Sequence, residues 1–90
     1  MLYRIKLVCD GVPESAGPEA ARDITEEFRT HYPHENNAEC SYANGKLTLV
    51  AENDYDADGL NLMDEFSDNI CAYIAGGLDA DITVLSIEIL

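Results

Sequence analysis

The segment AECSYANGKLTLVA, residues 38–51, decides the fold, because it places Asn44-Gly45 between two short runs of alternating apolar and polar residues. Asn-Gly is typical of a two-residue type I′ turn, in which both central residues need positive φ. The segment therefore predicts a β-hairpin with strands over residues 38–43 and 46–51. The residues that oppose each other across it are Cys40 and Tyr42 on the first strand, and Leu47 and Leu49 on the second.

A helix is predicted on each side of this hairpin. Pro18 suits a first helical position, and apolar residues then recur at helical spacing up to Tyr32. The same spacing recurs over residues 62–74 and includes Tyr73 among the apolar positions. Gly76-Gly77 is expected to end this second helix with a left-handed cap.

A strand is predicted at each end of the chain. Residues 2–9 alternate between apolar and polar side chains, and residues 82–90 are rich in β-branched ones. The order β-α-β-β-α-β then predicts one domain, a ferredoxin-like α+β sandwich with two helices on one face of a four-stranded antiparallel sheet. Many unrelated functions use this fold, so it does not by itself indicate an activity.

The face of the sheet opposite the helices is expected to be open. Its predicted polar residues are Arg4, Lys6, Glu39, Ser41, Thr48, Ser86 and Glu88, and its predicted aliphatic residues are Leu2, Val8, Val50, Ile82, Val84 and Leu90. A homodimer or a protein partner on this face would explain the aliphatic residues, and strand propensity alone explains them equally well. The last strand is expected at an edge of the sheet, where residues 82–90 offer a second route to a dimer.

The charge of the chain restricts its partners. Eighteen Asp and Glu residues outnumber five Lys and Arg, which gives a formal net charge of −13. Such a field repels nucleic acid and anionic membranes and attracts basic protein surfaces, so neither of the first two is an expected partner. Residues 1–9 do not resemble a signal peptide or a membrane span. The three widely spaced cysteines are interpreted as reduced thiols of a cytoplasmic protein.

Acidic residues concentrate on the predicted outer surfaces of both helices. They are Glu19, Asp23, Glu26, Glu27, Asp64 and Asp68. Side chains three or four positions apart on a helix lie about 5–6 Å apart, so two such rows are able to imitate a phosphate backbone. Simple solubility is the alternative interpretation. In size and acidity the chain resembles small phage proteins that block host defence nucleases, including some anti-CRISPR proteins. That resemblance implies a non-catalytic, nucleic-acid-mimicking inhibitor of a basic nucleic-acid-binding protein.

The segment DYDADG, residues 54–59, with Glu65 further on, fits the pattern D-x-[DN]-x-[DN]-G-x5-E and resembles an EF-hand calcium loop. The resemblance implies that calcium is held by Asp54, Asp56, Asp58, the Leu60 carbonyl and Glu65. Two features depart from the family. A predicted strand precedes the loop where an EF-hand has a helix, and Asn61 stands where an aliphatic residue is usual. Capping of the second helix by these acids is the alternative.

Other chemistry is weaker in the sequence. His31, His34 and Glu35 lie near the end of the first helix, with Cys40 a few residues on, and zinc ligands at such spacing are conceivable. Neither a C-x-x-C nor an H-x3-H pair is present, and histidines at a helix end more often contact its dipole, so we expect no metal there. The loop after Cys9 has no cation to hold phosphate. We therefore expect no enzyme activity, and keep a dimeric regulatory or ligand-sensing domain as a further hypothesis.

Overall fold

The structure, a computed structural model, describes residues 1–74 and 81–90. Its elements are β1 (Tyr3–Asp10), α1 (Gly17–His31), β2 (Asn36–Ala43), β3 (Lys46–Asn53), α2 (Leu60–Tyr73) and β4 (Asp81–Ile89). The four strands form one antiparallel sheet in the order β2-β3-β1-β4. This is the predicted ferredoxin-like α+β sandwich. The cap predicted at Gly76-Gly77 lies outside the described residues, and no helix within them has the length and apolarity to cross a membrane.

The hairpin of β2 and β3 has the predicted turn and register. Asn44 and Gly45 both have positive φ, 52° and 78°, as a type I′ turn requires. Cys40 pairs with Leu49 and Tyr42 with Leu47. The loop between β1 and α1 is tied to this turn, because the Val12 amide donates to the Gly45 carbonyl (3.0 Å) and the Tyr42 hydroxyl donates to the Val12 carbonyl (2.7 Å).

The core lies between the helices and the inner face of the sheet. Ile5, Leu7 and Cys9 of β1 have no exposed surface. Side chains from α1 and α2 pack onto them at the spacing that the sequence predicts, and the most deeply buried of these are Ile24, Phe28, Leu62, Phe66 and Ile70. The alternating apolar residues of β1 and the periodic apolar residues of the two helices thus pack into one common apolar layer.

The register of β4 corrects one prediction. Lys6 pairs with Ser86, but Leu7 pairs with Val84, so Leu85 is an extra residue in β4. A bulge of this kind moves all following residues to the opposite face. Ile82 and Val84 were predicted on the open face and instead pack against the core, whereas Ser86 and Glu88 lie beside Lys6 and Arg4 on the open face as predicted.

β4 is an edge strand, as the sequence predicts. Leu85, Ile89 and Leu90 at or near this edge are all more than half exposed. Dimerisation through β4 or through the open face stays a prediction.

Gly17 is required by close packing at the start of α1. A Cβ atom at this position would lie 2.2–2.5 Å from ring atoms of Tyr42, well inside van der Waals contact. The Tyr42 ring has little freedom to move away, since its hydroxyl is held by Val12. The contact therefore fixes where α1 sits on the hairpin.

We expect Gly17→Ala to destabilise the fold by about 1–3 kcal/mol, the usual cost of overpacking. A loss of about 1 kcal/mol lowers Tm by roughly 4–8 °C in a domain of this size, so thermal unfolding is a sufficient measurement. In a Tyr42→Ala background the same substitution should cost much less, because the clashing ring is gone. An equal cost in both backgrounds would show that the Tyr42 ring is not the cause.

Candidate functional site

A groove lined by acidic side chains runs between α1 and α2. One cavity of about 230 Å³ and a second of about 120 Å³ share Glu27 and Tyr73 in their walls. We call the two together the acidic groove. The charged and aromatic side chains that line it include Asp23, Glu26, Glu27, His31, Asp68 and Tyr73.

The groove brings together four of the six acids that the sequence predicts as a partner-binding surface. Asp23, Glu26 and Glu27 contribute from α1, and Asp68 contributes from α2. Glu19 and Asp64 are exposed on the same two helices but do not line the groove. Helical spacing alone predicts a row of acids on each helix. Which of these acids share the groove depends on how α1 packs beside α2.

Tyr73 bridges the groove. It was predicted as a core position of the second helix, but its side chain is exposed and its hydroxyl donates to Glu27 Oε2 at 2.9 Å. The other oxygen of Glu27 contacts His31 Nδ1, also at 2.9 Å. The pKa of Tyr73 is raised, chiefly by the hydrogen bond to Glu27 and further by the charges of Asp23 and Glu26. The potential in the groove is therefore negative.

The basic side chains of the chain lie away from this groove. All five Lys and Arg residues belong to the described ranges, and none of them lines it. Arg4 pairs with Glu52, and Lys46 lies 3.8 Å from Asp10. Arg22 and Arg29 line a different cavity, on the flank of α1 that faces β2. Glu26 also lines that cavity, so the groove acids of α1 that lie apart from the arginines are Asp23 and Glu27.

The acids of the predicted calcium loop cap α2. Asp56 is buried, and its two carboxylate oxygens accept from the backbone amides of Asn61 (3.2 Å) and Leu62 (2.9 Å). Asp58 Oδ1 accepts from the amide of Leu60, the first residue of α2, at 3.1 Å. Asp54 is exposed. These bonds satisfy amides that a helix N-terminus leaves free.

Glu65, the last ligand in the calcium prediction, contacts His34. Among the described residues, the cluster with carboxylate and imidazole atoms mutually within 4.8 Å consists of His34, Glu35 and Glu65, without the loop acids. Calcium binding through the loop stays a prediction.

Glu35 is the buried centre of a polar cluster that the sequence does not predict. Its side chain has no exposed surface. Its Oε1 accepts from Asn53 Nδ2 (2.7 Å), and its Oε2 accepts from the Tyr55 hydroxyl (2.9 Å). That hydroxyl in turn accepts from Asn61 Nδ2 at 2.8 Å. We call these residues, with His34 and Glu65, the Glu35 cluster.

A second carboxylate, Glu65 of α2, enters the cluster from the helix layer. Its Oε2 lies 2.6 Å from His34 Nε2, and the same nitrogen lies 3.8 Å from Glu35 Oε2. Glu65 Oε1 is buried and, among residues 1–74 and 81–90, accepts no hydrogen bond from an N–H or hydroxyl group. Burial and the neighbouring Glu35 carboxyl raise the pKa of Glu65 to about 7, although the bond to His34 opposes them. The pKa of His34 is raised chiefly by its bond to Glu65.

The grouping of His34 and Glu35 with His31 and Cys40 is not the arrangement in the structure. His31 points to Glu27 of the acidic groove, and Cys40 is buried in the core, where burial raises its thiol pKa to about 12. The local signal that was present is the adjacent His34-Glu35 pair. Glu65, which joins this pair in the structure, is thirty positions further along the chain than Glu35.

The capping geometry predicts unequal effects for two loop acids. We expect Asp56→Ala to cost about 1–2 kcal/mol of unfolding free energy, because it removes the acceptor for two α2 amides. Asp54→Ala, the matched control on an exposed acid of the same loop, should change stability by less than about 0.5 kcal/mol. Urea unfolding in a chelator measures both. Equal losses of stability in the two variants would contradict the capping role of Asp56. If calcium raises the Tm of the wild-type protein and Asp54→Ala abolishes this rise, the calcium prediction is supported.

The raised pKa of Glu65 predicts a pH dependence of stability. A carboxyl whose pKa is higher in the folded state adds stability that is complete below about 4.5 and is lost as the pH rises through about 7. His34, whose pKa is also raised, acts in the same direction; Glu35 and Tyr55 are the other ionisable groups that face Glu65.

We expect the Tm of the metal-free protein, relative to that of Glu65→Gln, to fall between about pH 4.5 and about pH 7, the interval between the ordinary pKa of Glu65 and its pKa in the folded protein. Asp64→Asn is the control, since it removes the same charge from an exposed neighbour. A Tm difference that stays constant over this range would mean that Glu65 does not titrate there.

Comparison with known proteins gave no match to this chain among protein-family models, curated proteins or solved structures.

Proposed function

We propose that this protein is a non-catalytic binding module whose acidic groove docks on a basic surface of a partner protein. The observation that supports this function is the composition of the groove. Four carboxylates from two helices line it, while the five Lys and Arg residues lie elsewhere. Asp23, Glu27 and Asp68 lie apart from the cations, while Glu26 also borders the cavity of Arg22 and Arg29. Acids that serve only solubility have no need of such separation, whereas a docking site for cations does.

The groove suits a long basic side chain. Its larger cavity, about 230 Å³, has a volume equal to that of several water molecules and leaves room for the end of a Lys or Arg side chain. Asp23 and Glu26 supply opposite charges in that cavity, and Asp68 supplies one in the smaller cavity beside it. The exposed ring of Tyr73 supplies a surface for a cation–π contact.

In its most specific form, the proposal is that the helix surface imitates nucleic acid. On each helix, residues three or four positions apart have Cβ atoms about 5–6 Å apart, so the acids of α1 and α2 form two adjacent rows. A protein that holds phosphates with Lys and Arg would meet in these rows a similar series of negative charges. The module would then inhibit a nucleic-acid-binding protein, as an anti-defence or anti-CRISPR protein of a phage does. Such a complex weakens as salt screens the exposed charges.

The first test separates the groove from net charge. We expect Asp23→Asn/Glu26→Gln/Asp68→Asn to weaken binding of a fluorescent oligolysine peptide roughly tenfold, since three exposed ion pairs at about 0.5 kcal/mol each approach 1.4 kcal/mol. Glu14→Gln/Glu39→Gln/Glu88→Gln removes equal charge elsewhere and should change the affinity much less. Fluorescence anisotropy in low and physiological salt measures both variants. Equal losses would show that only net charge matters and would contradict the proposal.

The second test addresses mimicry. The probe is a labelled DNA duplex bound to a protein that binds DNA without sequence specificity. We expect the wild-type chain, and the control triple variant, to displace the duplex at lower concentrations than the groove triple variant does. If the protein binds oligolysine but does not displace DNA, the proposal that it docks on a basic surface stands, and the proposal that it imitates nucleic acid is wrong.

A further inference from the structure

The Glu35 cluster combines ligand types that suit a transition metal. His34 and Glu35 precede β2, Glu65 comes from the first turns of α2, and their ligand atoms all lie within 4.8 Å of one another. An imidazole nitrogen with two carboxylates is a donor set for zinc and similar ions, whereas calcium prefers six to eight oxygen atoms.

A buried oxygen without a partner is the second, independent observation. Within the described residues, Glu65 Oε1 accepts no hydrogen bond from an N–H or hydroxyl group, although a buried carboxylate oxygen ordinarily does. The neighbouring Glu35 carboxyl can share a hydrogen bond with Glu65 only if one of the two carries a proton. His34 accounts for the other oxygen of Glu65, and the donors to Glu35 are already engaged with that residue. None of the five Lys and Arg residues pairs with either carboxylate. A cation between the two carboxylates would satisfy the oxygen that the protein leaves unpaired.

The surroundings hold the ligands in place, as the outer contacts of metal sites do. Asn53 and Tyr55 fix both oxygens of the Glu35 carboxylate, which is wholly buried. The His34 ring lies near the rings of Tyr32 and Tyr55, at centroid distances of 5.9 and 6.1 Å. The His34 side chain is 46% exposed, so it offers a path for an ion and room for a water ligand.

We propose that His34, Glu35 and Glu65 form a binding site for one divalent transition-metal ion, for which zinc is the probe. The ion replaces the proton between His34 Nε2 and Glu65 Oε2. These atoms, now 2.6 Å apart, separate to roughly 3.4 Å, the distance between two ligands of a tetrahedral zinc ion. His34, at the rim, has the freedom to make this movement, while Glu35 stays fixed. The site is separate from the acidic groove and does not depend on the function proposed there.

The test is calorimetric titration of the chelator-treated protein with zinc chloride in physiological salt. We expect one zinc ion per chain, a micromolar Kd, and a Kd at least tenfold weaker in His34→Ala and in Glu65→Gln. His31→Ala is the matched control, because His31 also contacts a glutamate but lies in the acidic groove. It should leave the zinc Kd unchanged. Circular dichroism checks that each variant is folded, and His34→Gln replaces any variant that is not.

Three results would overturn the proposal. The first is the absence of zinc binding. The second is an equal loss in His31→Ala and His34→Ala, which would mean that zinc is attracted only by the negative field. The third is calcium binding that is tighter than zinc binding and is abolished by Asp54→Ala rather than His34→Ala, because this would place the ion in the loop at residues 54–59.

Discussion

The pairing of β1 with a strand on each side is the constraint on which the rest of the structure depends. Its inner residues Ile5, Leu7 and Cys9 have no exposed surface, so both helices must lie on that face. The start of α2 packs closely on this strand, since a Cβ atom at Gly59, whose φ is +75°, would lie 3.2 Å from Ile5 Cγ2. Asp56 then caps the N-terminus of α2, and the position of α2 brings Glu65 into contact with His34. The strand thus helps to set the geometry of the polar cluster, and its residue Tyr3 pairs with Asn53 of that cluster.

Local signals were sufficient for most of this architecture. The Asn44-Gly45 turn has a backbone requirement that few other dipeptides meet, and the two helices show their buried faces in their periodicity. The face of β4 was predicted wrongly at Ile82 and Val84, because the extra residue Leu85 has no signature of its own in an apolar strand. Tertiary pairing with β1 decides where that bulge lies.

The candidate sites were less predictable, for a physical reason. Rows of acids on a helix follow from spacing, but the groove exists only because α1 and α2 pack side by side. The Glu35 cluster depends on contacts between residues 34–35, 53–61 and 65, and no local pattern reports such contacts. The calcium-loop motif also assigned Glu65 and Asp56 to one ion. In the structure Asp56 binds two helix amides and Glu65 faces away towards His34.

The net charge of −13 therefore combines two kinds of acid that obey different physics. Exposed carboxylates in the groove act through an electric field that salt screens over about 8 Å. They therefore favour positively charged partners, and each contributes little to the free energy of binding. Buried carboxylates must be balanced within bonding distance, because no solvent shares their charge. Asn53 and Tyr55 balance Glu35, while Glu65 is balanced at one oxygen only. Added salt that dissociates a complex at the groove should thus have much less effect on the affinity of the cluster for a cation. This difference in salt dependence makes the two proposals independent.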